Sequence, residues 1–301
     1  FHMEDKPEKS VLIVGCGYIG RRVAALLRDR GEHVTGCARS LESVEQLQLA
    51  GLQGMRIDLD SAGAPPPGWA AGFRDIFYFA PPPAEGEDGP RMCRFLQALN
   101  TGRPPRRIVY ISTSAVYGDC GGAWITETRE PRPATARGER RLDAEQQLMA
   151  WCQAHGSEWV ILRVPGIYGP GKLPLARLRK GLPVLREQDA PYTNRIHGDD
   201  LAAICVAAMR SEFPDTVYNV SDGHPSNMTD YFFRVAAAAG LPRPPVVTRA
   251  EAQQQLSAGM LSFLNDSRRM DNGKLLGELG VVLQYPDLDT GLASCFPAAG
   301  T

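Results

Sequence analysis

A chain of 301 residues, 43% hydrophobic and 22% charged, carries enough apolar material for one large α/β unit and a smaller appendage. A formal net charge of −1 gives no bulk attraction to nucleic acid or to an anionic membrane, so neither is expected as a partner. The seven cysteines are scattered without a C-x-x-C pair, which argues against a disulfide framework or a metal site and suits a reducing compartment.

In chain order, the polar start FHMEDKPEKS lacks an apolar signal core, and Met3 reads as the native start. No apolar run reaches the about 18–20 residues that span a bilayer, so a cytoplasmic protein is expected. Ser10–Val14 reads as a strand, and Ile19, Val23, Leu26 and Leu27 mark a helix that Gly31 ends. His33–Cys37 is the second strand, Leu41–Leu49 a helix, and Met55–Ile57 a third strand ending at Asp58. Asp75–Phe79 is the fourth strand, cut off by Pro81–Pro83, since proline cannot continue a central strand. Pro90–Leu99 is helical, Arg107–Ile111 the fifth strand, Leu142–His155 a helix and Trp159–Leu162 the sixth strand. Farther on, Asp199–Met209 reads as a helix with an acidic cap, Val217–Val220 as a strand, and Ser226–Gly240 as a helix capped by Ser226 or Asn227.

This alternation predicts an α/β fold, a Rossmann-type doubly wound parallel sheet with a small C-terminal substrate lobe. Residues 10–165 with 196–222 are assigned to the sheet domain, and 166–195 with 223–290 to the lobe.

Gly15-Cys16-Gly17-Tyr18-Ile19-Gly20 matches G-x-G-x-x-G, follows a strand directly and opens an amphipathic helix. Gly15 would make the tight turn, Gly17 admit a pyrophosphate to the backbone, and Gly20 allow close helix–strand packing. The helix N-terminus, with the N–H groups of Tyr18 and Ile19, then offers free donors and partial positive charge to phosphates. Nicotinamide dinucleotide binding follows as the expectation; a ligand-free structural turn is the bland alternative.

About 20 residues on, NAD-binding units usually carry Asp or Glu for the ribose 2′-hydroxyl. Here the strand ends Gly36-Cys37-Ala38-Arg39-Ser40, without a carboxylate. Arg39 and Ser40 suit a 2′-phosphate, which makes NADP(H) the expected cofactor and NAD the alternative. Asp58 is placed to accept from the adenine amine or to cap its own loop. No metal is expected.

At Ile111-Ser112-Thr113-Ser114-Ala115-Val116-Tyr117-Gly118 the chain resembles the extended short-chain dehydrogenase/reductase superfamily, in its NAD-dependent epimerase/dehydratase branch. The resemblance continues through ITETREPRP, ILRVPGIYGPG, NRIHGDDLA and YNVSDG, over about residues 10–285. It implies that Thr113 is the catalytic hydroxyl and also a cofactor contact beside the nicotinamide, and that Pro165 and Gly166 meet the nicotinamide carboxamide. Ala80 and Pro81 would pass beneath the cofactor ribose.

One departure stands out. Where the family carries Tyr-x-x-x-Lys, this chain reads Arg137-Gly138-Glu139-Arg140-Arg141, so that Arg137 replaces the tyrosine and Arg141 the lysine. Arg137 stays protonated and cannot exchange a proton near neutrality, whereas Arg141 can still bind ribose hydroxyls. The resemblance is therefore to an atypical subgroup lacking the Tyr/Lys pair. Tyr168, Tyr117, His197 and Glu127 are the candidate substitutes, each with packing, capping or ion pairing as the plainer role. Asp199 and Asp200 read as helix caps.

The sequence thus supports an NADP(H)-dependent oxidoreductase or epimerase-like enzyme with a non-standard acid/base, against a non-catalytic NADP(H) sensor. Its partner would be a small polar molecule; Arg137, Arg141, Arg163 and Arg195 make an anionic one an alternative. A monomer or homodimer is expected.

Overall fold

A computed structural model describes residues 10–60, 65–84 and 89–297; residues 1–9, on which the reading of the chain start rests, lie outside them. Seven strands build the central sheet: β1 (Ser10–Val14), β2 (His33–Ala38), β3 (Gln53–Arg56), β4 (Asp75–Tyr78), β5 (Arg107–Thr113), β6 (Glu158–Val164) and β7 (Thr216–Asn219). All pair in parallel, in the order β3-β2-β1-β4-β5-β6-β7. The order reverses between β1 and β4, which opens a crevice at the carboxyl ends of those strands.

Both faces of the sheet are buried, and the strands sort their side chains by the two-residue period. Val11 and Ile13 of β1 join Phe77, Val109, Val160 and Leu162 on one face. Leu12 and Val14 join Ile76, Tyr78, Ile108, Tyr110 and Ile161 on the other. Helices α1 (Tyr18–Asp29) and α2 (Leu41–Leu49) add Val23, Leu27 and Leu47 to the first face. Helices α3 (Pro90–Ala98) and α4 (Ala136–His155) cover the second with Phe95, Leu96, Ala144 and Leu148.

The carboxyl-end segment is built from short pieces. Helices α5 (Leu175–Arg179) and α7 (Met228–Ala239) share a core of Tyr168, Leu178, Tyr231, Phe232 and Val235 with Leu288 and Leu292 of α11 (Leu288–Cys295). Between these, α6 (Gly198–Arg210) packs back on the first face through Leu201, Ile204 and Val206. Helices α8 (Arg249–Gln255) and α9 (Ala258–Leu261) lead to α10 (Gly273–Leu279), whose Leu275 joins the core of the sheet's first face. Lys274 of α10 donates its Nζ to the Val217 carbonyl, 2.9 Å away on β7.

Several element boundaries shift by one or two residues from the sequence reading, and three differences have a clear local reason. β3 starts two residues early because Thr35 and Gly36 of β2 pair with Gln53 and Gly54, and its last pair is Ala38 with Arg56, leaving Ile57 buried just past the strand. α4 starts at Ala136 rather than Leu142: Thr135 Oγ1 accepts from Gly138 N at 3.1 Å, and the arginine-rich first turns have no apolar period to reveal them. α6 is capped by His197, whose Nδ1 accepts from Asp199 N at 3.1 Å, not by an acidic residue. Asp199 instead pairs with Arg22 at 2.9 Å, and Asp200 accepts from the backbone N–H groups of Gln284 and Tyr285.

Candidate functional site

The glycine turn leaves β1 at the crevice. Gly15 has a φ of +81°, and a β-carbon there would lie 2.6 Å from Ala80 N and 2.9 Å from Ala80 Cα. The backbone of Phe79 and Ala80, leaving β4, therefore abuts the turn, and Pro81 follows into the cavity beside it. Around Gly17 a β-carbon would meet no protein atom within 4 Å, so that backbone faces open space. A β-carbon on Gly20 would crowd Ile13 Cγ2 at 3.1 Å, which fixes how closely α1 packs on β1. These constraints fit the three tasks a diphosphate-binding turn sets its glycines. The Tyr18 side chain turns away, its hydroxyl donating to the Pro170 carbonyl at 2.9 Å. Ile19 is buried in the core.

A cavity of about 270 Å³ lies beside this turn, lined by Gly15, Arg39, Asp58, Asp60, Ala80, Pro81 and their neighbours. Arg39 is largely exposed and reaches to 3.9 Å from Asp60, which a bidentate contact with Arg91 already holds. That contact keeps the Asp60 carboxyl below its usual range. Ser40 is less free than its sequence position implied: its hydroxyl caps α2, accepting from Ser43 N at 3.1 Å. Asp58 caps its own loop, accepting from Asp60 N at 3.0 Å.

A second cavity, of about 290 Å³, opens at the ends of β5 and β6. Thr113, Ser114, Arg137, Pro165, Gly166 and Arg195 line it, with Tyr192, Asn194, Phe263, Asp266 and Arg268. Thr113 ends β5 and caps the turn Ser114–Tyr117, its Oγ1 accepting from Ala115 N at 3.3 Å. Helix α4 seats on this turn through Gly138, where a β-carbon would lie 2.8 Å from the Ala115 carbonyl oxygen; Arg137 is thereby carried to the cavity. Arg141, one turn on, donates Nη1 to the Ile111 carbonyl at 2.8 Å beside the Tyr110 phenol and does not line the cavity.

The candidate acid/base substitutes go elsewhere. Tyr168 is fully buried in the lobe core, its hydroxyl donating to the Asp287 carbonyl at 3.2 Å, so the cavity does not receive its phenol. His197 is buried between Tyr168 and Tyr285, and its Nε2 meets Ser294 Oγ at 3.0 Å. Tyr117 donates to Asn219 Oδ1 at 2.5 Å, and Glu127 accepts from Asn219 N at 3.3 Å. Burial raises the pKa of Tyr117, Tyr168 and Glu127 and lowers that of His197.

Arg163, expected among the arginines facing a ligand, lies instead in a buried ion pair. It grips both carboxylate oxygens of Glu145, at 3.1 and 2.8 Å, while Ser112 Oγ donates to the same carboxylate at 2.6 Å. Phe263, Asp266 and Arg268 escaped the sequence reading; the polar run Asn265–Arg269 beside Phe263 is the signal that marks their segment, while Asn194 lies in the stretch NRIHGDDLA without having been singled out. Arg268 pairs with Asp266 at 3.4 Å and donates to the Gly118 carbonyl and Ser114 Oγ at 2.9 and 3.3 Å.

A seven-stranded parallel sheet with this strand order and a glycine turn at its switch point defines a Rossmann-type fold, with a threonine-lined cavity beside β5. The NAD-dependent epimerase/dehydratase family model matches residues 91–221, and the ketopantoate reductase PanE/ApbA model matches residues 11–68. The chain is 25% identical to protein YeeZ of Escherichia coli (strain K12) over 297 residues, 93% of this chain and 97% of that one. A functionally unknown conserved protein from Silicibacter pomeroyi superposes with a TM-score of 0.81 at 30% identity, covering 95% of this chain and 98% of that one. UDP-glucose 4-epimerase from Thermotoga maritima shares the fold, with a TM-score of 0.76 at 18% identity, covering 95% and 97%.

Proposed function

We propose that the protein is an NADP(H)-dependent oxidoreductase or epimerase-like enzyme acting on a small polar molecule without the family's tyrosine acid. The observation that carries this reading is the pairing of the Gly15–Gly20 turn with two cavities at the carboxyl ends of the same sheet, one beside Arg39 and one beside Thr113. The turn amides of Tyr18 and Ile19 would hold the diphosphate, with Ala80 and Pro81 along the ribose and Arg39 at a 2′-phosphate. Arg141 would serve the nicotinamide ribose, and Pro165 and Gly166 the carboxamide end. When bound, the nicotinamide supplies hydride chemistry.

The chain's own residues supply position and charge. Thr113 Oγ1 acts as hydrogen-bond donor to a substrate oxygen in the second cavity. Arg137 stabilises negative charge there and leaves proton exchange to water or to the substrate. Residues 166–195 with 223–290 contribute the substrate side, as Tyr192, Arg195, Phe263 and Arg268 illustrate.

Two measurements test the reading. Titrated by reduced-nicotinamide fluorescence, Arg39→Ala is expected to weaken NADPH by about 10–100-fold and NADH by less than about threefold. Equal loss for both would remove the 2′-phosphate role. On a panel of small carbonyl compounds, Thr113→Ala is expected to lower turnover about 100-fold, with NADPH affinity falling far less. NADPH binding without turnover on any substrate would favour the second reading, a non-catalytic sensor, which the missing phenol at position 137 also suits.

A further inference from the structure

Ordinary accounting of charge leaves two arginines of the second cavity unexplained. Other half-buried or buried arginines have a carboxylate or a carbonyl for a partner: Arg163 has Glu145, Arg107 has Glu158 at 2.7 Å and Arg268 has Asp266, while Arg141 and Arg269 donate to the carbonyls of Ile111 and Gly122. Arg137 and Arg195 differ. Among the described residues neither forms an ion pair, and their guanidiniums lie over aromatic rings, Arg137 over Phe263 at 4.1 Å and Arg195 over Tyr231 at 3.7 Å. Arg195 Nε is buried without a hydrogen-bond partner, a state that costs free energy unless a ligand repays it.

Stability gives no reason for their placement either. Arg137 is the second residue of α4, where the helix dipole already presents positive charge and an acid would be favoured. Arg195 reaches across Gly166, where a β-carbon would lie 2.0 Å from its Nη1, so the absence of a side chain at 166 makes room for the guanidinium. Burial works against the charge of both groups, lowering each pKa, yet arginine remains protonated at neutral pH. Three arginines and a single carboxylate line this cavity, and that carboxylate, Asp266, is already committed to Arg268.

We propose that Arg137 and Arg195 form a clamp for an oxyanion, a carboxylate or phosphate group carried by the substrate, set beside Thr113 at the reacting end. This rests on reading the second cavity as the substrate site and narrows the substrate from small and polar to small and anionic. A guanidinium presents planar paired donors that match either group, and the aromatic rings beneath hold each one flat while leaving its N–H edge free. The position that carries the family's proton donor thus becomes an anchor for substrate charge.

The test is isothermal titration calorimetry on the full chain with malonate and with inorganic phosphate, against chloride at matched ionic strength, with and without NADPH. One of the two probes is expected to bind saturably, and the preferred one identifies the group as carboxylate or phosphate. Arg137→Gln and Arg195→Gln should each weaken it by about tenfold or more, Arg137→Lys by less. Asp266→Asn should tighten it, a sign that misfolding cannot imitate. Affinities no better than chloride, or parent-like binding by both glutamine variants, would overturn the clamp. Should NADPH fail to bind the parent while Arg137-dependent anion binding persists, the clamp stands and the dinucleotide reading falls.

Discussion

Replacing Glu145 with alanine is expected to destabilise the fold by about 3–5 kcal/mol, because it strands the Arg163 guanidinium in the interior. Glu145 is fully buried on α4, and Arg163 on β6 is only 5% exposed. Burial alone would weaken the arginine's charge, but the two hydrogen bonds it donates to Glu145 and the attraction of that carboxylate hold Arg163 above the ordinary range. The same carboxylate takes the Ser112 hydroxyl, so its loss also orphans a donor on β5. Arg163 lies 4.8 Å from the centre of the Tyr117 ring, whose phenol is tied to Asn219 on β7. One side chain therefore braces α4, β5, β6 and the turn below Thr113. Urea unfolding near pH 7 provides the measurement. A double replacement of Glu145 and Arg163 by methionine should recover much of the loss, since apolar residues of similar volume need no partner. A single-variant loss below about 1 kcal/mol would show that water reaches the pair.

Gly15→Val is the second large effect. The positive φ and the 2.6 Å approach to Ala80 N leave no room for a side chain, so the turn must shift or β4 must move. Stability is expected to fall by about 2–4 kcal/mol, combining backbone strain with overpacking. NADPH affinity should fall at least about 100-fold, because the turn amides move with the backbone. Gly17→Ala makes the contrast: no protein atom stands within 4 Å of its β-carbon, so stability should change far less while dinucleotide affinity drops. Parent-like NADPH binding by both variants, measured by fluorescence titration, would refute the assignment of this turn.

The residues that made the sheet legible are those whose neighbours in sequence are also their structural context. Ser10–Val14, Leu41–Leu49 and the glycine turn carry their signal within a few positions, and the structure shows the strand and the helix with those bounds. Helix α4 was half hidden because its first turns, Ala136 to Arg141, hold arginines where an apolar period would announce a helix. The second cavity was harder still. Thr113, Pro165 and Gly166 follow a family pattern and Arg137 occupies one of its positions with a different residue, but Phe263, Asp266 and Arg268 arrive from about 100 residues farther along through packing that no local motif encodes. Tyr168 misled for the opposite reason: its motif places it near the crevice, yet the aromatic core of α7 and α11 withdraws its ring from solvent. The nitrogen that caps α6 likewise comes from His197, where adjacent aspartates offered a more conventional guess.

The two margins of the sheet have a consequence for how copies of the chain can meet. β3 is four residues long, with Gln53 and Arg56 exposed, and β7 has Lys274 on its Val217 carbonyl. Neither rim offers a long apolar template for strand addition, the usual route to edge-to-edge aggregation. Association through these two rims is therefore disfavoured, and any contact made through helix faces instead would leave the hydrogen-bond ladder of the central sheet intact.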